Sequence, residues 1–142
     1  MCKAIDVAEY IINYPDIYVD NLKLQKLIFY AQAISLVING NPLFKDKIEA
    51  WDYGPVIPEL YRHYKNYEQQ LPHDDKFKTA LKIADIKVID LAIEHYGNMT
   101  GSQLITLTHS EKPWQVAYAA GRNSEITQKS MKDFYSTIYT YE

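Results

Sequence analysis

The chain has 142 residues, which is the length of one ordinary domain, and its 47% hydrophobic content excludes a largely disordered protein. It carries 15 Lys and Arg residues against 18 Asp and Glu, and the resulting net charge of −3 argues against a dedicated nucleic-acid binder. The one cysteine, Cys2, excludes an intramolecular disulfide and a cysteine-rich zinc site.

The N-terminal sequence and the longest apolar stretch both predict a cytoplasmic protein without membrane contact. Residues 1–16 carry acidic side chains where a signal peptide needs an uninterrupted apolar segment. The apolar stretch near residues 27–38 is interrupted by Gln32 and Ser35, and it is shorter than the roughly 18 residues that cross a bilayer. The 13 tyrosines suit half-buried and interface positions, because each offers apolar area and a polar tip.

Two helices are predicted at the start of the chain. Apolar residues at helical spacing over residues 4–14 predict a short amphipathic helix that Pro15 ends. Asp20 or Asn21 then caps a long helix, about 21–39, which an Asn-Gly step ends. Because this second helix is apolar on nearly all sides, we predict a mainly α fold, a single compact helical domain wrapped around it.

Lys26 interrupts the apolar surface of the predicted central helix. Helical periodicity places it among Leu22, Phe29, Tyr30 and Ala33. Its stem could lie on the core while its ammonium group reaches water. Alternatively, the ammonium group could be partly buried and held by a carboxylate, since an unpaired buried charge is costly.

A short extended or β-hairpin segment is predicted near residues 43–53. Alternating side chains favour an extended chain there, and Gly54-Pro55 is expected to end it. Pro58 suits the first turn of a helix that runs to about residue 67, and a polar surface loop over 68–76 follows.

Four helices are predicted in the second half of the chain. They cover about 85–96, about 101–109, a segment that begins at Pro113, and a final helix that Thr127 caps. In the last of these, the inward-facing residues are expected to be Met131, Phe134, Tyr135 and Ile138.

The sequence contains no catalytic, cofactor-binding or metal-binding pattern. None of the four histidines lies at zinc-ligand spacing, and neither a P-loop nor a dinucleotide-binding glycine motif is present. The segment His109-Ser110-Glu111 has the residue types of a triad, but triads are assembled by folding and not by adjacency. For His109 we therefore favour packing or capping at a helix end over catalysis.

Three segments together resemble the Panacea domain family, which includes SocA-like antitoxins and phage-associated GepA-like proteins. Leu24 to Gln32 reads LQKLIFYAQ, Glu49 to Tyr61 reads EAWDYGPVIPELY, and Leu104 to Trp114 reads LITLTHSEKPW. Their order and spacing match the family pattern, so the resemblance covers nearly the whole chain and implies one domain over residues 1–142.

The resemblance implies an α-rich, non-enzymatic antitoxin of a bacterial or prophage toxin–antitoxin pair. Its expected partner is a protein, either a cognate toxin or a host protein, and one family branch delivers its toxin to a AAA+ protease. No cofactor is implied, and a nucleic-acid role is the least favoured. The alternatives are a phage-associated protein that binds a host factor without a cognate toxin, and a hydrolase or transferase that uses His109.

The matched motif positions are the candidate structural or interaction residues. They are Gln25, Lys26, Tyr30, Trp51, Tyr53, Gly54, Pro55, Glu59, Tyr61, His109, Pro113 and Trp114. We expect residues 48–61 to form a structural corner on the central helix. We further expect Lys26 to pair with a carboxylate of that corner, either Asp52 or, in preference, Glu59. The tyrosines that could anchor a partner are Tyr53, Tyr64, Tyr67 and Tyr118.

Overall fold

Helices make up most of the molecule, and one of them lies at its centre. In this computed structural model, which describes residues 1–67 and 69–139, the chain forms seven α-helices, a π-helical turn and one β-hairpin. In chain order these elements are α1 (Ala4–Ile12), α2 (Asn21–Ile34), the π-helical turn (Ser35–Asn39), β1 (Glu49–Trp51), β2 (Gly54–Val56), α3 (Pro58–Tyr64), α4 (Ile83–Tyr96), α5 (Gly101–His109), α6 (Lys112–Ala120) and α7 (Gln128–Tyr135). The predicted mainly α fold with a short hairpin is therefore confirmed.

The central helix is α2, as the sequence predicts. Every side chain from Lys23 to Leu36 is buried, and α1, α3, α4, α5, α7 and β2 all contact α2. Asp20 caps the helix by accepting a hydrogen bond from the backbone N–H of Lys23 at 2.9 Å. Within the described part of the chain, no helix has the length and apolar character that a membrane crossing requires.

Two polar side chains of α2, Gln25 and Gln32, are buried and bind the backbone of the segments that cross the helix. The Gln25 side chain accepts a hydrogen bond from the N–H of Ile57 at 3.0 Å. The Gln32 side chain accepts one from the N–H of Leu43 at 2.7 Å and donates one to the carbonyl of Phe44 at 3.0 Å. These side chains pair backbone groups that would otherwise be buried without a partner.

The hairpin differs in one respect from the prediction. Gly54 and Pro55 do not end the extended segment but form β2, which pairs antiparallel with β1, and the turn lies at Asp52-Tyr53. Pro55 has no N–H to offer to Ala50, its partner in the register. Ala50 is instead hydrogen-bonded on its other side, to the backbone of residues 123–124 at 2.8–2.9 Å.

The ends of several helices also differ from the predicted bounds. Helix α1 ends two residues early, α3 ends at Tyr64, and α4 begins two residues early. Met131 and Tyr135 face inward as expected, but Ile138 is 48% exposed, because it lies in a turn beyond the end of α7 where helical periodicity no longer applies. Residue 68 of the predicted loop and residues 140–142 lie outside the described residues.

A buried carboxyl group links α2, α6 and α7. Glu111, the N-cap residue of α6, accepts hydrogen bonds from the hydroxyls of Tyr30 at 2.5 Å and Tyr135 at 2.8 Å. Burial raises the pKa of Glu111, and the two phenol donors oppose that rise. Beside this group, the hydroxyls of Tyr96 and Tyr139 lie 2.8 Å apart.

Gly54 is the point at which the hairpin touches α2 and α5. Its φ of +99° is a conformation that residues with a Cβ rarely adopt. A Cβ built there would lie 2.7 Å from Cε of Lys26 and 2.9 Å from Oγ1 of Thr108. Only a residue without a side chain allows this approach.

We expect Gly54→Ala to lower the free energy of unfolding by at least about 2 kcal/mol, because backbone strain and a steric clash add together. Gly40→Ala is the matched control: its φ is +74°, but no atom lies within 4 Å of the added Cβ. We expect Gly40→Ala to lower the free energy of unfolding by about 1 kcal/mol. Urea unfolding of both variants checks the difference, and equal losses would contradict the close contact at Gly54.

We expect Tyr135→Phe to lower the free energy of unfolding at pH 7 by about 2 kcal/mol, because it removes one of two donors to a buried carboxyl group. Tyr139→Phe is the control, since it removes a bond between two neutral hydroxyls, and we expect a loss of about 1 kcal/mol. The difference between the losses caused by Tyr135→Phe and Tyr139→Phe should shrink as the pH falls and Glu111 is protonated. Urea unfolding at pH 7 and pH 4.5 tests this, and a difference that does not depend on pH would contradict it.

Candidate interaction site

The three sequence motifs meet around the hairpin. Strand β2 contacts the central helix α2 and helix α5, and strand β1 contacts helix α6. The outer edge of β1 is covered by residues 123–126, whose backbone pairs with Ile48 and Ala50. Both strands are therefore supported by elements that are distant in sequence, and the Asp52-Tyr53 turn projects from this support.

A stack of three rings supports the hairpin from α5 and α6. The rings of His109 and Trp114 are 3.9 Å apart and nearly parallel, and those of Trp114 and Tyr118 are 4.5 Å apart. Trp114 donates its indole N–H to the carbonyl of Trp51 at 2.8 Å. The Trp51 ring in turn meets Tyr61 edge to face at 5.3 Å. His109 thus packs at a helix end, as we predicted.

The hairpin turn carries an exposed aromatic residue beside a polar group. Tyr53 is 62% exposed. Next to it, the Asp52 carboxylate accepts hydrogen bonds from the Tyr118 hydroxyl at 2.5 Å and from Nε of Arg122 at 3.1 Å. These bonds lower the pKa of Asp52, the Tyr118 bond first and the Arg122 bond second. Arg122 could not be predicted as a partner of Asp52, because it lies 70 positions farther along the chain, in a loop that carries no motif.

Lys26 is fully buried and is not part of an ion pair. Its side chain is 0% exposed, and Nζ has no hydrogen-bond partner among residues 1–67 and 69–139. The predicted pair with Glu59 or Asp52 is therefore wrong. Glu59 is exposed in the first turn of α3, and Asp52 is bound to Arg122. The snorkelling alternative is also wrong, because the hairpin covers the end of the side chain.

The protonation of Lys26 and His109 is affected by burial. Burial lowers the pKa of Lys26 to about 7, and the charge of Asp20 opposes this shift only in part. Burial also lowers the pKa of His109. The backbone of Asp52 opposes this shift, and a charge on Lys26 adds to it. Nε2 of His109 is likewise buried without a hydrogen-bond partner in the described part of the chain. Two titratable groups therefore lie close together beneath the hairpin.

The remaining candidate residues have mostly structural positions. Gln25 binds the backbone after the hairpin, Tyr30 binds Glu111, and Pro113 is buried in the first turn of α6. Pro55 is buried in β2, and Glu59 stands apart from the cluster on the surface. Of the four tyrosines considered as anchors, Tyr53 and Tyr67 are exposed, Tyr118 is half-buried, and Tyr64 is only 8% exposed.

The cluster forms a supported surface. A cavity of about 310 Å³ lies at its edge, between Glu49 of β1 and the start of α3, and other cavities lie farther away. A cavity of about 430 Å³ lies between α1 and residues 77–85, and one of about 390 Å³ lies between α6 and α7. His109 lines neither of them. Among the described residues, no group of three or more His, Cys, Asp or Glu side chains is placed to hold a metal ion. The arrangement is suited to contact with another molecule.

Comparison with known proteins identifies the family. The sequence model described as "Antitoxin SocA-like, Panacea domain" matches residues 24–115, a range that contains all three motifs. Antitoxin SocA of Caulobacter vibrioides (strain NA1000 / CB15N) is 34% identical over 136 residues, covering 83% of this chain and 72% of that protein. No solved structure matches the chain significantly. The chain therefore belongs to the SocA-like antitoxin family with a Panacea domain.

Proposed function

We propose that this chain is the antitoxin of a toxin–antitoxin pair and that it neutralises its toxin by direct binding, without catalysis. We assign the contact to the hairpin-tip surface, defined as Asp52, Tyr53, Tyr118 and Arg122. The observation that carries this assignment is the 62% exposure of Tyr53 on a turn that is held from several sides. Tyr53 lies within the second of the three segments that resemble the family, at a position that the family pattern leaves open.

The residue types of the hairpin-tip surface are those that dominate protein interfaces. Tyr and Arg are enriched among residues whose truncation costs the most binding energy. A specific interface buries about 800 Å² on each partner, so the surface described here would be its centre and not its whole extent. The exposed Gln115, which follows Trp114 on α6, could extend it.

The support of the turn favours binding, because a turn that is already ordered loses less conformational entropy when a partner binds. Trp114 binds the carbonyl of Trp51 at one end of the turn. At the other end, Gly54 pairs with β1 and lies against α2. A surface that is already held in one conformation loses little freedom on association. The net charge of −3 favours encounter with a basic partner, since complementary charge raises association rates.

The alternatives make different demands on the same surface. A proteolytic adaptor would need the toxin contact and a second contact with a AAA+ protease, and it would accelerate degradation of the toxin. A host-factor binder would use a similar surface with no toxin encoded nearby. A hydrolase or transferase that uses His109 would need an accessible imidazole, whereas this ring is stacked on Trp114 and its Nε2 is buried.

The test is co-expression with the products of the genes that flank this one in its own genome. We expect one product to be toxic alone, to be tolerated in the presence of this chain, and to co-purify with it stoichiometrically. Tyr53→Ala should weaken the complex at least about tenfold, which corresponds to loss of an interface anchor. Tyr18→Ala is the matched control, because Tyr18 is also exposed, at 51%, but lies outside the hairpin-tip surface.

Two outcomes would overturn the proposal in different ways. Neutralisation that is unchanged by Tyr53→Ala but lost in Tyr18→Ala would move the interface away from the hairpin. If no flanking product is toxic and only a host protein or protease subunit is recovered, the host-factor or adaptor alternative would replace direct neutralisation. Circular dichroism and thermal unfolding of both variants control for loss of folding.

A further inference from the structure

Lys26 is placed where an ammonium ion is poorly accommodated. Its side chain is among the largest fully buried ones, and its Nζ has no hydrogen-bond partner among the described residues. An ammonium group carries three donors, and burying it without partners costs several kcal/mol more than burying a neutral amine. A methionine would fill similar space without this cost, so packing alone does not account for a lysine here.

The hairpin covers the end of the Lys26 side chain. An added Cβ on Gly54 would lie 2.7 Å from Cε of Lys26, so the backbone of the turn rests directly on the last carbons of the lysine. On the α5 side, the Thr108 hydroxyl approaches the same point and already donates to the carbonyls of Leu104 and Ile105 at 3.0 Å. The hairpin backbone at Gly54 therefore stands between the end of the Lys26 side chain and the bulk solvent.

The charged groups around Lys26 do not neutralise an ammonium ion. On its own helix, the Asp20 charge favours the protonated form but is weaker than the effect of burial. On α5, His109 is a potential cation. On the hairpin, Asp52 is bound by Tyr118 and Arg122. At the N-terminus of α6, the Glu111 carboxyl group is bound by two tyrosine hydroxyls.

We propose that Lys26 is a proton-sensitive support of the hairpin: the neutral amine lets the Gly54 turn rest on α2, and protonation of the amine loosens that turn. The hairpin-tip surface is then held in one conformation when Lys26 is neutral and becomes mobile when Lys26 is charged. This inference concerns the free chain, so its test does not depend on the presence or identity of a toxin.

The pH window follows from the direction of the pKa shifts. The pKa of Lys26 is about 7 in the folded chain and near 10.4 in the unfolded chain. Between these two pH values, the unfolded chain therefore binds more protons than the folded chain does. Stability must therefore rise with pH through this window, by at most about tenfold in the folding equilibrium constant per pH unit. His109 contributes only below its ordinary pKa near 6.5, because its own pKa is also lowered.

The first measurement is an NMR titration of the free chain with ¹³C label at the lysine Cε atoms, from pH 6 to about pH 11, so that the ordinary lysine pKa near 10.4 lies inside the range. Lys26→Met assigns the Lys26 signal by its disappearance. We expect Lys26 to titrate at least two pH units below the exposed lysines. In the same samples, the backbone amide shifts of residues 50–54 and the indole signal of Trp51 should change with the same midpoint.

Two variants separate this inference from a general effect of buried charge. Lys26→Met should abolish the change of the hairpin signals that is centred on the Lys26 midpoint, and it should raise the free energy of unfolding at pH 7. Lys23→Met is the matched control on the same helix, because Lys23 is also buried but donates its Nζ to the carbonyl of Gly97, away from the hairpin. In this control, the amide shifts of residues 50–54 should still change with pH as they do in the wild-type chain.

Two results would overturn the inference. One is a Lys26 signal that titrates near pH 10, as an exposed lysine does. The other is a low midpoint at Lys26 without any matching change in the hairpin amides. If Lys26→Met fails to fold, the Lys26 Cε signal is assigned by correlation with the backbone resonances of Lys26 in the wild-type chain. The titration of that chain then still decides, since both signals are measured in the same sample.

Discussion

Burying a helix on every side creates a backbone hydrogen-bonding constraint on which the rest of this structure depends. Any irregular segment that crosses α2 brings N–H and C=O groups to a surface without water. Gln32 pairs those groups at Leu43 and Phe44, before the hairpin, and Gln25 pairs the N–H of Ile57, after it. The two glutamines therefore fix both ends of the hairpin segment against the same helix, two turns apart.

Elements that depend on local chemistry were predictable from the sequence. The all-round apolar pattern of α2, the proline at the start of α3, and the capping threonines of α5 and α7 are local signals, and the structure has helices at each. The strand at Gly54-Pro55 was not predictable in this way. A proline is tolerated there because Ala50 finds its backbone partners in residues 123–124, and that contact joins segments more than 70 positions apart.

Most members of the candidate site were predictable, but Arg122 and the interactions between the members were not. Helical periodicity correctly placed Lys26 inside the apolar surface, and the motif resemblance named Trp51, Gly54 and Trp114. The predicted ion pair of Lys26 was wrong because it assumed that a buried lysine must stay charged, whereas a buried amine can lose its proton instead. The contacts of Arg122 with Asp52, and of Trp114 with the carbonyl of Trp51, depend on tertiary structure and left no signal in the sequence.

The hairpin would couple folding to the binding that we propose for its tip. The groups that hold the turn in place, Gln25, Lys26 and Trp114, are also part of the buried or half-buried interior. Changes to them would alter stability and the shape of the proposed binding surface together, so their effects on partner affinity could not be assigned to contact alone. Tyr53 is different, because its exposed side chain can be shortened without removing any of these supports. The proposed binding is thus best probed at the tip of the turn, and the rigidity of the turn is best probed at its base.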